Sequence, residues 1–356
     1  MKSEPLAESL RATSVLGWTT VLLIAVVGLA LVKWIPYYQK AHIAADTHSI
    51  GTSILMGKAD HAPTPSVEAA LDYAVAYGKA IWKAMVLGLL LGSAIQTLLP
   101  RHWIAGALGR ADLRRVVLGG VLSLPGMMCT CCAAPVVAGL RECRAAPGSA
   151  VAFWLGNTVL NPATLVFTAF VLGWEWFSLR LALGLVMVFG LGELVNRLAA
   201  RESVRIEQDT LPMHTEENPS FARWLKTLWQ MSVRLIPEYA ALVLLLGAAR
   251  AWLFPHVGHD VDNSLLWILA FACAGAIFVI PTAGEVPIVQ ALLALGIGVG
   301  PAAAALMTLP PISAPSVAML WRSLGPRTLA LVSAGVILLG LVSGVAAMML
   351  FAQASM

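Results

Sequence analysis

Three cysteines fall within four residues, Cys129-Thr130-Cys131-Cys132, inside an apolar segment that opens with Leu124-Pro125-Gly126 and closes with Ala133-Ala134-Pro135. Thiolates are soft ligands that suit soft cations and thiophilic metalloids. A Cys-x-Cys pair can offer two sulfurs to one soft centre. Cys129, Cys131 and Cys132 are therefore the candidate substrate-binding residues, and the candidate metal ligands if the cargo is a soft metal. Pro135 suits the first turn of a half-helix that follows a break, and the positive end of that half-helix would favour a thiolate. Met127 and Met128 add thioethers, although methionine more often only packs. The bland alternative is that the thiols are small apolar residues in a tight helix contact. Cys143 and Cys273 stand alone and read that way. Five cysteines so placed do not make a disulfide framework.

A second candidate is Glu285, in Pro281-Thr282-Ala283-Gly284-Glu285-Val286-Pro287. A carboxylate within a membrane segment is expensive and marks function by default. Burial would favour its protonated form, which suits proton coupling; a loop acid in water is the alternative. Asn157, Asn161, Ser313 and Ser316 lie beside Pro162 and Pro310-Pro311-Pro315. They could line a pathway, or equally cap broken helices and bond between helices. His42, Asp46, His48, Asp60 and His61 form a loose external group without fixed ligand spacing, closer to a solvated loop than to a metal site. The stretch from Gly51 to Lys58 has the wrong spacing for a phosphate loop, so no motor domain is expected within the chain.

The elements that must hold these residues are membrane helices. Of 356 residues, 59% are hydrophobic and only 12% charged, where a soluble domain carries about 25% charged residues. With repeated apolar runs of spanning length, that makes an integral membrane protein. The formal charge of +4 comes from basic residues in short loops, so it implies no acidic partner. No basic stripe with interleaved aromatics supports nucleic-acid binding. The first apolar run, about 13–35, is longer than a signal-peptide core and has no clear cleavage site; it is expected to stay as a transmembrane helix.

The chain also repeats itself. Gly92 precedes Pro100 by eight residues, as Gly247 precedes Pro255, and Pro125, Pro135, Pro147 and Pro162 correspond to Pro281, Pro287, Pro301 and Pro315. Six ordered matches at nearly constant offset argue for duplication. The spacing predicts an N-terminal helix and external loop over 1–65, a first membrane repeat over 66–200, a cytoplasmic linker over 201–218 and a second repeat over 219–356. Each repeat reads as four hydrophobic stretches, near 80–99, 116–140, 148–172 and 178–198, and near 233–254, 264–297, 300–320 and 327–351. The second stretch of each holds paired prolines, Pro125 with Pro135 and Pro281 with Pro287, which break helices. At membrane depth such breaks survive only when packed in protein or lining a polar cavity, so these stretches are expected to be hairpins of two shorter helices.

Basic residues then set orientation. Arg101, Arg110, Arg114 and Arg115, Arg141 and Arg144, Arg197 to Lys226, and Arg322 and Arg327 all fall on the cytoplasmic side if the hairpins enter and leave on one face. Lys40, Lys58, Lys79 and Lys83 conflict with that scheme, since they fall outside. The N-terminus is expected in the cytoplasm, and each repeat crosses an odd number of times, which inverts one repeat against the other. The fold class expected is therefore an all-α integral membrane protein of two inverted-topology repeats plus one extra helix.

At Leu124 to Gly139, Ala146-Pro147-Gly148, Asn161-Pro162 and Pro281 to Pro287 the chain resembles predicted permeases of the ArsP type. The resemblance covers most of 80–350. Members often carry Cys-Ser-Cys-Gly where this chain has Cys129 to Cys132, so Thr130 and Cys132 depart from the pattern, and a third thiol could favour three-coordinate arsenic or another soft cation. The resemblance implies efflux of trivalent organoarsenicals such as methylarsenite across the cytoplasmic (inner) membrane, with copper or zinc export as the alternative cargo. On that expectation the chain is not an enzyme, needs no cofactor, and works with a small metalloid or metal substrate in the lipid bilayer, alone or as a homo-oligomer. A membrane thiol oxidoreductase using Cys131 and a neighbour is the remaining alternative.

Overall fold

The computed structural model describes residues 4–54, 64, 66–206, 220–253 and 261–354, and every regular element among them is a helix. Pro255, Lys58, Asp60 and His61, and most of the 201–218 linker, lie outside the described residues. The chain opens with α1 (Glu4–Leu29), which passes through a π-helical turn at Ala30–Trp34 into α2 (Ile35–Thr47). One π turn inserts an extra residue into a helix and is frequent at functional positions. Outward-facing Leu22, Leu23, Val26 and Leu31 are exposed here, the pattern of a helix that meets lipid on one side.

Helix α3 (Val67–Leu98) begins at Ser66, whose side chain accepts a hydrogen bond from Ala69 N, and it packs on α1. After α4 (Arg101–Leu108) come α5 (Leu113–Ser123) and α6 (Thr130–Glu142), separated by a short 3₁₀ turn and an extended segment. Next are α7 (Pro147–Val159), α8 (Pro162–Val171), and α9 (Trp174–Leu185), which runs through a second π turn into α10 (Leu191–Ile206). The later half repeats the order: α11 (Phe221–Leu253), α12 (Leu265–Ile277), α13 (Glu285–Ala294), α14 (Val299–Thr308), α15 (Ala314–Leu324) and α16 (Pro326–Ala354). Six helical segments among the described residues are long and apolar enough to cross a membrane.

The expected breaks in 116–140 and 264–297 are present, between α5 and α6 and between α12 and α13. Three details differ from expectation. The stretches 148–172 and 300–320 are also each divided, into α7 and α8 and into α14 and α15, because Asn161-Pro162 and Ser313-Ala314-Pro315 start a new helix. Helices α3 and α11 begin at Val67 and Phe221 rather than near 80 and 233, since polar turns at their starts carry no hydrophobic signal. Pro135 does not sit in the first turn; it is inside α6, which starts at Thr130. Its ring removes the N–H that would reach the Cys131 carbonyl.

Packing in the two halves is alike in part. Helix α5 lies on α7 as α12 lies on α14. The short helices after the breaks cross over: α6 packs on α15, and α13 on α8, so each half supplies a wall for the other. Helix α3 closes the centre against α6 and α11. Gly88 and Gly92 allow this, because a Cβ at either would strike the backbone carbonyl of Cys132 or of Pro135.

Candidate functional site

Cys129 takes an extended conformation and becomes the N-cap of α6, so the break delivers it at the helix entrance. Cys132 lies one turn further on the same face, and Cys129 Sγ donates to Cys132 Sγ at 2.9 Å. A disulfide needs about 2.05 Å, so the two are free thiols. Cys131 points elsewhere, with Sγ 3.6 Å from Ser313 Oγ. The three sulfurs therefore do not converge on one centre, and among the described residues no three side chains of His, Cys, Asp or Glu form a ligand set. The pairing is Cys-x-x-Cys rather than the Cys-x-Cys expected from spacing, because a helical turn brings residues three apart together.

The backbone of the first break is satisfied from outside it. Trp34 Nε1 donates to Pro125 O at 2.8 Å, and Met128 N donates to Asn157 Oδ1 at 3.4 Å. Asn157 thus supports the break. Asn161 caps α8, its Oδ1 accepting from Ala163 N and Thr164 N, while its Nδ2 is buried without a partner. Ser313 caps α15 in a capping box with Ser316 and also lies 3.3 Å from Thr130 Oγ1. The capping alternative accounts for Asn161 and Ser316. Ser313 does both jobs, starting one helix and touching the thiol-bearing one.

The second break is stitched differently. Tyr73 OH donates to Val279 O, and Tyr77 OH to Ile280 O at 3.5 Å, with Tyr239 OH donating to Tyr77 OH at 2.7 Å. Extended backbone at membrane depth needs such donors. Glu285 is the first residue of α13 and is 1% exposed. Its Oε1 meets Arg180 Nη2 at 2.7 Å, and Arg180 is fully buried. The same guanidinium donates to Thr158 O and Thr164 Oγ1, each at 3.1 Å, and to Val159 O at 3.3 Å. Glu285 is thus one half of a buried ion pair, neither a lone acid nor a loop residue.

Two buried cations near the cleft were not singled out from the sequence. Arg180 lies within an apolar stretch, and only its partner 105 positions away gives it meaning; an arginine in a membrane segment was itself the available signal. Lys33 was hidden in the first apolar run. It sits in the π turn, 4% exposed, and its Nζ donates to Thr282 Oγ1 at 3.1 Å and to Tyr37 OH at 3.3 Å.

Cys129, Met128, Thr158, Thr164, Thr282 and Glu285 all line one narrow cleft between the two breaks, whose cavity volume of about 10 Å³ is that of a closed or nearly closed site. The cleft offers the Cys129 thiol, hydroxyl groups and the Glu285 carboxylate, with Cys132 and Arg180 bonded behind them. Cys143 stands apart in the turn after α6, where its Sγ faces Ile95 O at 3.5 Å. Burial pushes its thiol up to about 11, so it stays protonated at neutral pH. His42 stacks edge-on against Tyr38, and His48 Nδ1 lies 2.7 Å from Phe170 O, so neither is arranged for a metal.

Comparison with known proteins fits this multi-pass arrangement. A family model described as a predicted permease of the ArsP type matches residues 10–153 and 116–349. The UPF0718 protein YraQ of Escherichia coli is 49% identical over 341 residues, 95% of this chain and 97% of that protein. The UPF0718 protein MJ0584 of Methanocaldococcus jannaschii is 21% identical over 323 residues, 72% of this chain and 88% of that protein. No solved structure matches the chain. A helical protein with six membrane-competent segments among its described residues and a cleft between two helix breaks thus belongs to the ArsP-type family of predicted membrane permeases.

Proposed function

We propose that the chain is a secondary efflux permease of the cytoplasmic membrane that exports a thiophilic small molecule, foremost a trivalent organoarsenical such as methylarsenite. The observation that carries this reading is the buried Cys129–Cys132 thiol pair at a helix break, of which Cys129 lines the cleft. Two thiols on one helical turn can exchange with the hydroxyl groups of a trivalent arsenical. Each thiol forms an As–S bond, and the departing hydroxide takes the thiol proton and leaves as water. Cys131, turned to Ser313, holds the thiol-bearing helix against α15 and is not needed for the exchange.

In this reading the two repeats are inverted and rock about the cleft, giving alternating access. The N-terminus lies in the cytoplasm. The Arg180–Glu285 pair couples transport to protons: protonation of Glu285 discharges the pair and frees Arg180, which would loosen α13 from α9. Soft metal ions are a weaker cargo, because only two of the three sulfurs meet. A thiol oxidoreductase is favoured by one observation, the Cys-x-x-Cys spacing at a helix start.

The test is methylarsenite accumulation in everted vesicles, comparing the native chain with the double variant Cys129→Ser/Cys132→Ser. Transport should fall by about a hundredfold or more, the loss of two sulfur bonds costing several factors of ten, while the protein stays in the membrane. Undiminished accumulation in the variant sinks the reading. Thiol trapping that finds a reversible Cys129–Cys132 disulfide, without transport, transfers it to the oxidoreductase.

A further inference from the structure

Lys33 is left over once the thiols and the Arg180–Glu285 pair have been assigned. Its ammonium bonds to two neutral hydroxyls, on Thr282 and Tyr37, and lies 5.2 Å from the Tyr37 ring centroid. Among the described residues no carboxylate comes within ion-pair distance of it. The cleft's own carboxylate, Glu285, is already held by Arg180. Arg180 also keeps its Nη1 buried with no hydrogen-bond partner. The cleft region therefore holds two cations against one anion.

An uncompensated cation in a membrane interior is expensive and calls for a partner. Thr282, which Lys33 touches, lines the cleft. The cleft also receives the starts of α6 and α13, at Cys129 and Glu285, and helix starts carry partial positive charge and free N–H groups. The π turn is what aims Lys33 at the second break while Trp34, its neighbour, holds the first. With Glu285 held by Arg180, the charge left unpaired beside the cleft is positive.

We infer that the cleft takes its cargo as an anion, with Lys33 as the specificity-determining residue that supplies the counter-charge. The chemical class is a thiophile bearing an oxyanion group, such as a carboxylate-bearing trivalent arsenical. The oxyanion accepts from Lys33 and from backbone N–H groups at the helix starts, while the soft atom faces the thiols. Free copper(I) and zinc ions meet net repulsion. This inference rests on the cleft being the transport site.

The experiment uses the full chain in lipid nanodiscs and compares the neutral phenylarsine oxide with its 4-carboxylate analogue by calorimetry, with sulfite as an anion that needs no thiol exchange. The carboxylate should bind about tenfold more tightly than the neutral compound, a preference that shrinks to within about twofold in Lys33→Met and survives in Lys33→Arg. Thermal unfolding of each variant identifies any that simply misfold, and Lys33→Gln then replaces Lys33→Met. Equal affinity of the two arsenicals for the native chain overturns the inference, and so does a preference that outlives loss of Lys33. If neither arsenical binds, the thiol reading fails separately and sulfite decides: binding that depends on Lys33 upholds the anion site, and its absence rejects it. Sulfite binding that emerges only in Cys129→Ser would make a Cys129 thiolate the counter-ion of Lys33 and also overturn the inference.

Discussion

The two helix breaks share a backbone plan and differ in what they carry. Each begins with an aliphatic residue and a proline, Leu124-Pro125 or Ile280-Pro281, and each leads into a helix with a second proline inside, Pro135 or Pro287. Each also turns through a non-glycine residue in the left-handed region, Met127 with φ 47° and Ala283 with φ 68°. The first break is neutral and sulfur-rich, held by Trp34 and Asn157. The second is charged, held by tyrosines from α3, by Lys33 and by the Arg180–Glu285 pair. The two breaks thus share one shape. Much of their chemical difference comes from helices outside the breaks: Lys33 and Trp34 belong to the N-terminal helix, and Arg180 to α9.

That contrast is easiest to break at the charged side. Glu285→Ala leaves Arg180 buried and unpaired, which should lower stability by about 3–5 kcal/mol. The loss would appear as a large drop in the thermal unfolding midpoint of the purified protein in micelles. Arg180→Met/Glu285→Leu should recover most of it, because neither buried charge remains to be solvated. A double variant as unstable as the single one would mean that the pair contributes through more than its charges.

A smaller effect separates the helices that face the breaks. Gly92 and Gly247 each precede a proline by eight residues. A Cβ at Gly92 would strike the Pro135 carbonyl and lie 2.9 Å from Val136 N, all backbone of α6, whereas the nearest atom to one at Gly247 would be Tyr73 Cβ of α3, at 2.9 Å. Backbone beside a proline gives way less readily than a side chain. Gly92→Ala should therefore cost about 1–3 kcal/mol, and Gly247→Ala toward the low end of that range, by the same unfolding measurement. The smallest change concerns the shared turn. A left-handed residue other than glycine stores about 1–2 kcal/mol, and glycine returns part of the gain through unfolded-chain entropy of about 0.4–1 kcal/mol. Ala283→Gly and Met127→Gly should each stabilise the protein slightly. Unequal gains would show that one break is more strained than its counterpart.

The sequence carried the breaks because proline announces itself: Pro125 and Pro281 mark them directly. It placed Pro135 poorly, since the helix start depends on Cys129 turning extended, and no residue type requires that. The thiol cluster was legible as a cluster, but which two sulfurs meet was decided by one helical turn. Glu285 was legible as an unusual acid, and its meaning was not, because Arg180 reaches it from a distant helix. Lys33 was masked by the apolar run around it, where averaging over a window hides one charge. Spacing within a segment survives as geometry; contacts between segments depend on how helices cross.

The crossing of α6 onto α15, and of α13 onto α8, has a consequence for synthesis. Helix α6 ends at Glu142, while α15 is not complete until Leu324. At ordinary ribosome speeds of about 5–20 residues per second, that gap corresponds to roughly 10–40 s. Throughout it the thiol-bearing break is in the membrane without one of its walls. The nascent first half must wait half-assembled, its reactive sulfurs open to whatever oxidant or thiophile is nearby, until the second half arrives to close over them.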